Sequence, residues 1–485
     1  LRVCSDSDEE QMAQAWKDKH VVIVGAARQG LALAGYLLAQ GAEVTLTDKR
    51  PLDDMASARL TLANLSPQAD RARWVCGDHP LYLLDGADLL CLSGGVSPEI
   101  PLAVEAQRRG IPLSNDSQIF LQVVPCKVIG ITGSAGKTTT TTLVGRIAQA
   151  AIEGYPTAYR RVWVGGNIGT PLISVVDQMQ PDDLCVVELS SFQLELMNHS
   201  PQVAAVLNVT PNHLDRHGTM QAYLAAKARI LQFQSPEDCA VLGRDDPGAW
   251  SLAPMARGEL TSFGFSELAP DQSGVFLYGE AVYLRRKPGE GAKLLVSSRE
   301  VALRGAHNLL NVMAACAIAA AADLPAEAMR AGVVGFTGVP HRLEFVRSWG
   351  GADWYNDSIA TAPERAMAAI RSFEEPLILL AGGRDKNLPW QEFAALVRRR
   401  VDHLIVFGEA SEIILQAMQQ TPADAGQTLQ SITRCQGLRD AVQAAAQLVQ
   451  PGDVVLLSPG GTSFDEFKDF EERGECFVQW VKNLP

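Results

Sequence analysis

Short, wholly apolar runs alternate with longer amphipathic stretches along nearly the whole chain. The first run is Val21-Val22-Ile23-Val24, followed by a glycine turn, a helix over residues 29–40 and a second strand over 43–47. Residues 88–93 read as another strand running into Gly94-Gly95. A second series opens at 127–131, continues with a helix after Lys137 and strands at 184–187 and 203–209, and carries helices near 220–233 and 308–322. A third has strands at 377–381, 403–407 and 453–457 with helices between them. Buried strands of parallel sheets are apolar on both faces, so this alternation predicts parallel, doubly wound α/β sheets. Residues 268–300 break the pattern: Val275-Phe-Leu-Tyr and Ala281-Val-Tyr-Leu alternate around glycines and predict a β excursion within the second series.

A chain of 485 residues accommodates about three domains at the usual size. Boundaries are expected near 115 and 338. The net charge of −13 and pI near 5.2 argue against a phosphate-backbone surface for nucleic acid. An apolar content of 47% with 20% charged residues suits packed domains. The longest apolar run, residues 312–322, falls well short of the roughly 18 needed for a membrane span. The acidic first ten residues do not read as a secretory signal, and the absence of an initial Met leaves room for residues upstream. Nine cysteines stand singly, none at a C-x-x-C spacing, which disfavours a zinc ribbon and fits reduced thiols. A soluble, cytoplasmic protein is expected.

The sharpest chemical feature is Ile129-Gly-Ile-Thr-Gly133-Ser134-Ala135-Gly136-Lys137-Thr138-Thr139-Thr140, between a predicted strand and helix. Glycines here free backbone N–H groups to cradle phosphate, and the helix N-terminus favours an anion. Lys137 can neutralise β/γ-phosphates, and the Thr138 hydroxyl can ligate magnesium. The spacing is the shorter T-G-x-x-G-K-T form, since Ile131 occupies the first glycine of G-x-x-x-x-G-K-[ST]. Glu188, ending the strand 184–187, is the expected metal-holding acid. Asn212-His213-Leu-Asp215 follows a further apolar strand and suggests either a second magnesium or proton handling. Lys227, on an Ala-rich helix, reads by itself as a solvated lysine.

Near the N-terminus, Gly25-Ala-Ala27-Arg-Gln-Gly30 matches G-x-G-x-x-G with alanine at the middle glycine, and Asp48 ends the next strand. The extra methyl impedes the approach of a dinucleotide pyrophosphate. A different nucleotide, or fold geometry alone, is therefore preferred over NAD.

Together these motifs resemble the Mur ligases. Thr132-Gly-Ser-Ala-Gly-Lys-Thr-Thr, Gly165-Gly-Asn-Ile-Gly169, Glu188-Leu-Ser-Ser-Phe-Gln-Leu-Glu195, Asn212-His-Leu-Asp215 and Gly305-Ala-His-Asn-Leu-Leu-Asn311 occur in the family's order. So do Pro340-His-Arg-Leu-Glu344, Asn356-Asp-Ser and the run Leu457-Ser-Pro-Gly-Gly-Thr-Ser-Phe-Asp-Glu-Phe-Lys-Asp-Phe-Glu-Glu-Arg-Gly474. With Gly382-Gly-Arg-Asp-Lys386, the last run is similar to the branch that adds D-glutamate to UDP-N-acetylmuramoyl-L-alanine. The resemblance covers the chain after about residue 18, apart from 153–163. It implies three α/β domains, each a largely parallel sheet with flanking helices: Rossmann-like over 1–115, P-loop ATPase-like over 116–338, and Rossmann-like over 339–485.

The resemblance further implies ATP-dependent amide ligation through an acyl phosphate in peptidoglycan precursor synthesis, with two magnesium ions. Lys137 would grip the phosphates, Thr138 and Glu188 the first metal, and His213 the second, while Lys227 would be a carbamylated metal ligand. Asn167 would stand near the reacting carboxylate. Gly133, Ser134, Ala135, Gly136, Thr138 and Thr139 would line the phosphates. Asn308 and Asn311 belong at the adenine and ribose side, Arg342 at the phosphates and Asp357 at the ribose. Arg28, Gln29, Asp48, Lys49, Ser190 and Gln193 would face the UDP-linked substrate, and Thr361, Lys386, Ser463 and Phe470 would hold D-glutamate. A monomer with small-molecule partners, no nucleic acid and no membrane span is implied. Ile359 stands where the family usually has a lysine, removing a cation near the amino acid. This calls for weaker D-glutamate binding or for another cation. The alternatives are a folylpolyglutamate synthase, another muramyl ligase, an NAD-dependent oxidoreductase or a non-catalytic nucleotide-binding regulator.

Overall fold

The computed structural model describes residues 16–485, apart from 168, 304, 387 and 423–425. The acidic N-terminal stretch and Cys4 lie outside the described residues. The described chain divides into two compact units, the first ending at Phe336 and the second spanning Thr337–Pro485.

The first unit contains two sheets. In one, β1 (His20–Val24), β2 (Glu43–Asp48), β3 (Arg73–Cys76), β4 (Leu89–Leu92) and β5 (Leu113–Ser114) pair in the order β3-β2-β1-β4-β5, entirely parallel. Val21 to Val24 are completely buried, as a strand covered on both faces requires. The order reverses at β1, where an open parallel sheet leaves a crevice at its carboxyl edge. The helix Arg28–Ala39 packs close behind: a Cβ at Gly30 would lie 2.0 Å from the Gly25 carbonyl oxygen.

The second sheet comprises β6 (Lys127–Thr132), β7 (Val162–Gly166), β8 (Leu184–Glu188), β9 (Val203–Val206), β10 (Cys239–Gly243), β11 (Glu259–Gly264), β12 (Ser273–Tyr278), β13 (Ala281–Arg285) and β14 (Lys293–Ser297). They run β14-β13-β12-β11-β10-β9-β6-β8-β7. Pairing is parallel from β7 to β12 and antiparallel from β12 to β14, so the expected β excursion is an extension of this sheet's edge. The helices Lys137–Gly154 and Ala306–Ala321 bury apolar faces against it. β9 stops at Val206, short of the predicted 209, because Leu207–Val209 turn away to bond the loop after β6 and the Asp246 carboxylate.

In the second unit β15 (Glu344–Trp349), β16 (Ala352–Asn356), β17 (Leu377–Gly382), β18 (His403–Phe407), β19 (Ser431–Arg434) and β20 (Val454–Gly460) pair as β15-β16-β20-β17-β18-β19. Only the β15–β16 pair is antiparallel. The fold is thus α/β with three mostly parallel sheets and flanking helices, as the alternation predicted. Among the described residues no helix is long and apolar enough to cross a membrane.

Candidate active site

β6, β7, β8 and β9 end side by side, and their carboxyl-terminal loops bring the central motifs together. Register places Ile131 of β6 beside Glu188 of β8, and Glu188 beside Gly166 of β7. The loop after β6 turns into the helix Lys137–Gly154 through Gly136, whose φ of +82° is left-handed. A Cβ there would lie 2.2 Å from the Asn311 side-chain oxygen, so glycine is required twice over.

Glu188 is 2% exposed. The Thr138 hydroxyl donates to its Oε2 at 2.8 Å and the Asn167 amide to its Oε1 at 3.0 Å. The structure therefore brings together Glu188 and Asn167, two of the expected catalytic residues, with Thr138, an expected metal ligand, and it gives this buried carboxylate two neutral donors. A carboxylate with a hydroxyl neighbour at the mouth of a phosphate loop is a donor set suited to magnesium, which favours oxygen ligands and keeps several waters. Among the described residues, no three His, Cys, Asp or Glu side chains form a metal-ligating cluster.

Lys137 Nζ donates to the Gly133 carbonyl at 2.9 Å. Lys227 Nζ donates to the same oxygen at 2.9 Å and lies 3.4 Å from Thr132 Oγ1. Lys227 is 1% exposed, with its ammonium 4.6 Å from the centre of the Tyr223 ring. The solvated-lysine reading is corrected: the helix Met220–Gln232 turns this residue inward under the phosphate loop. Burial, then the like charge of Lys137, lowers its pKa from 10.5 to about 7.

Not every loop amide faces the site. Ser134 N–H donates to the Asn208 carbonyl and Ala135 N–H to the Asn208 side chain at 2.8 Å, so these two amides brace the loop. Ser134 Oγ donates to the Thr210 carbonyl and lies 3.1 Å from the Tyr223 hydroxyl. His213 has a φ of +53°, and its ring packs edge-on against Phe192 at 5.1 Å. Its neighbour His217 is tied to Ser191 Oγ and Glu195, each at 2.9 Å, and stacks on the Phe192 ring with centroids 5.3 Å apart.

Beside the loop lies a cavity of about 240 Å³, lined by Ala135, Gly136, Asn208 and Asn311 together with Asp245, Asp246, Phe263 and His307. Asn311, on the cavity wall, donates its amide to Asn308 Oδ1 at 3.1 Å. Asp245, Asp246 and Phe263 were missed from the sequence because they belong to no compact motif, and His307 stands within the Gly305–Asn311 run without having been given a role.

At the carboxyl edge of the first sheet a cavity of about 390 Å³ is lined by Gly25, Asp48, Lys49, His79, Gly95, Val96, Ser97 and Arg216, among others. Asp48 is held by its neighbours: Arg50 contacts both oxygens at 2.9 Å, and Ala26 N–H donates to Oδ2 at 2.9 Å. The Arg50 hydrogen bonds hold this carboxyl well below the usual carboxylate range. Arg216 reaches over from the second sheet, donates to the Val96 carbonyl at 2.8 Å and lies over the Phe192 ring. Arg28 donates to the Asn167 carbonyl at 3.2 Å, and Gln29 packs at Gly94. Gln193 is buried. Its oxygen accepts from Ser190 and its amide donates to Ser117 at 2.7 Å, so it ties the turn after β8 to the helix that follows β5.

In the second unit, Lys386 Nζ donates to Thr361 Oγ1 at 3.2 Å, bringing together two of the expected D-glutamate residues. Ser463 is buried next to the Arg384–Thr462 bridge, and the Phe470 carbonyl accepts from Ser358 Oγ at 2.8 Å. Arg342 is exposed on a loop whose flanking residues, His341 and Leu343, both have positive φ. Asp357 is buried, accepting from Leu343 N–H at 3.2 Å and Ser458 Oγ at 2.8 Å.

Three family descriptions match in succession: a Mur ligase MurD-like N-terminal domain over residues 19–115, a Mur ligase middle domain over 131–319, and a Mur ligase glutamate ligase domain over 341–461. UDP-N-acetylmuramoylalanine–D-glutamate ligase of Symbiobacterium thermophilum is 39% identical over 473 residues, covering 98% of this chain and 100% of its own. The enzyme of the same name from Desulfitobacterium hafniense is 39% identical, covering 96% of this chain and 98% of its own. Among solved structures, UDP-N-acetylmuramate–alanine ligase of Thermotoga maritima superposes with a TM-score of 0.52 at 18% identity, covering 96% of this chain and 99% of that one, a likeness of fold.

Proposed function

The chain belongs to the Mur ligase family, and from that premise we propose that it adds D-glutamate to UDP-N-acetylmuramoyl-L-alanine with consumption of ATP, as a step in peptidoglycan synthesis. The observation that supports this reading best is the convergence of Lys137 and Lys227 on the Gly133 carbonyl, next to the buried Glu188–Thr138 pair. Two cationic groups and one carboxylate at the end of a parallel sheet suit a triphosphate and its divalent cation.

In this reading the residues divide into an N-terminal module (1–115) for the UDP end, a central ATP module (116–338) and a C-terminal amino-acid module (339–485). The substrate carboxylate attacks the γ-phosphorus of ATP, ADP leaves, and the resulting acyl phosphate is an electrophile that the carboxylate was not. The D-glutamate amine then adds to the acyl carbon. The tetrahedral adduct expels phosphate, and the nitrogen loses a proton. Lys137 neutralises the transferring phosphoryl group. Thr138 and Glu188 hold magnesium, which supplies charge neutralisation, and His213 serves a second ion. Asn167 keeps Glu188 oriented. Lys227, with its pKa near 7, carries a neutral amine fraction at physiological pH, the form that adds to carbon dioxide, which supports a carbamylated side chain.

Asn308, Asn311 and the cavity beside Gly136 take the nucleoside, with Arg342 and Asp357 contributing at the phosphates and ribose. Asp48, Lys49, Arg28 and Gln29 serve the UDP-linked substrate. Thr361, Lys386, Ser463 and Phe470 serve D-glutamate. The protein works as a cytoplasmic monomer. Purified protein given magnesium, ATP and UDP-N-acetylmuramoyl-L-alanine should release phosphate only when D-glutamate is added, and Lys137→Ala should abolish that release. Equal turnover with L-glutamate would defeat the acceptor assignment.

A further inference from the structure

Three loops meet at the carboxyl ends of β8, β6 and β9, and the sheet keeps the outer two apart. β6 pairs with β8 on one side and β9 on the other, so β8 and β9 do not pair with each other. Glu188 ends β8 and His213 stands on the loop after β9, so the two flank the phosphate loop that leaves β6. Backbone pairing fixes where the strands end. It does not fix how far the two outer loops stand from each other beyond those ends.

One side chain spans that gap. His217 closes the short helix Leu214–His217, and both nitrogens of its ring are held by residues that follow β8: Nε2 lies 2.9 Å from Ser191 Oγ, and Nδ1 lies 2.9 Å from Glu195 Oε1. Ser191 and Glu195 are four residues apart on one helical turn, so they face the same side and receive a single ring between them. A carboxylate at Nδ1 keeps the proton there and leaves Nε2 to accept from the Ser191 hydroxyl. Phe192, from the same turn, stacks on the imidazole at an interplanar angle of 9° and packs edge-on against His213. His217 also meets Tyr223 at 5.0 Å between centroids. The Tyr223 hydroxyl lies 3.1 Å from Ser134 Oγ of the phosphate loop, and its ring lies 4.6 Å from the Lys227 ammonium.

Ser–His–Glu in this order is also the arrangement of an acyl-transfer triad. Here Ser191 is 3% exposed and the His217 side chain 2%, which puts the hydroxyl out of an acyl donor's reach. Buried groups bonded to one another in this way hold a geometry. We propose that His217 is a positioning residue that brackets the phosphate loop, tying the turn after Glu188 to the loop that carries His213. The assignment rests on the ion-binding roles given to Glu188 and His213 above and adds the side chain that spaces them.

His217→Phe tests this, since it keeps a ring to stack on Phe192 and loses both hydrogen bonds. In calorimetry, ADP binding with magnesium present should weaken roughly 10- to 100-fold, while ADP binding in EDTA holds within about twofold. The kcat for phosphate release should fall by a similar factor with the KM for D-glutamate unchanged. Ser191→Ala should show a smaller loss alone and add nothing in the His217→Phe background, because both substitutions cut the same link. His217→Gln, able to keep one of the two bonds, should fall between. An unchanged magnesium-dependent affinity in His217→Phe, an equal loss of ADP binding in EDTA, or additive effects of the two substitutions would each overturn the assignment. A wild-type protein that binds ADP with magnesium yet ignores D-glutamate would remove the acceptor reading, and the calorimetric comparison would still decide the role of His217.

Discussion

Asp357→Asn isolates the energetic cost of a buried carboxyl in the second unit. Asp357 is enclosed by the loop after β16 and the end of β20, and burial raises its pKa from 3.8 to about 7 against the opposing influence of the Ser458 hydroxyl, Leu343 N–H and two arginines. Between those two pH values the folded protein holds a proton that the unfolded chain has lost. Stability therefore falls as pH rises through this window, and the penalty is complete above about pH 7. Roughly three pH units at about 1.4 kcal/mol each give an upper bound near 4 kcal/mol. An asparagine keeps both bonds, its oxygen accepting from Leu343 and its amide donating to Ser458, without ever carrying charge. Relative to wild type, Asp357→Asn should be more stable by about 2–4 kcal/mol at pH 8 and nearly equal at about pH 3. Urea unfolding followed by tryptophan fluorescence includes this unit, since Trp354 and Trp390 are buried in it, and the pH dependence of the variant's difference from wild type isolates the carboxyl. A stability difference that does not change with pH, or a variant less stable at pH 8, would refute the reasoning.

Two further outcomes follow from the phosphate loop. Gly136→Ala forces a side chain into left-handed backbone and 2.2 Å from Asn311, so it should cost roughly 1–3 kcal/mol in thermal unfolding and weaken nucleotide binding measured by calorimetry. Lys227→Met replaces a buried ammonium with an apolar chain of similar length; phosphate release should disappear while the melting temperature holds or rises, and a collapse in stability would show that the lysine serves the fold.

Much of this was legible before any coordinates because parallel sheets announce themselves as apolar runs, and because the phosphate loop packs its chemistry into a few consecutive residues. Glu188 was found by the same logic, as a charge ending an apolar strand. Residues that act from a distance were not. Lys227 looked solvated on its Ala-rich helix, and only the helix's orientation buries it. Asn208 and Gln193 brace walls through contacts about 75 residues apart in sequence, which periodicity cannot register. His79 reaches the cavity at the first sheet from a position with no motif around it, and Arg216 directly follows Asn212–Asp215 yet reaches that cavity by crossing from the second sheet. Arg50 follows Asp48 by two residues, yet its capture of that carboxylate depends on the turn between them.

The charge arrangement at the loop carries the last step. Two ammonium groups share the Gly133 carbonyl, and the nearby Glu188 accepts from Thr138 and Asn167. A fold selected for stability alone would replace the buried Lys227 with an apolar residue, since taking a charge out of water costs several kcal/mol. Lys227 instead stays close to neutrality, its pKa near 7 set by burial and by Lys137. A buried amine poised in this way is suited to meeting negative charge from a bound group, or to being converted into an anion itself. A nucleotide's phosphates supply the first and a carbamate is the second. Both would strengthen the field that draws a divalent cation to Glu188. The same tension that lowers the stability of the empty loop therefore raises its affinity for what it binds.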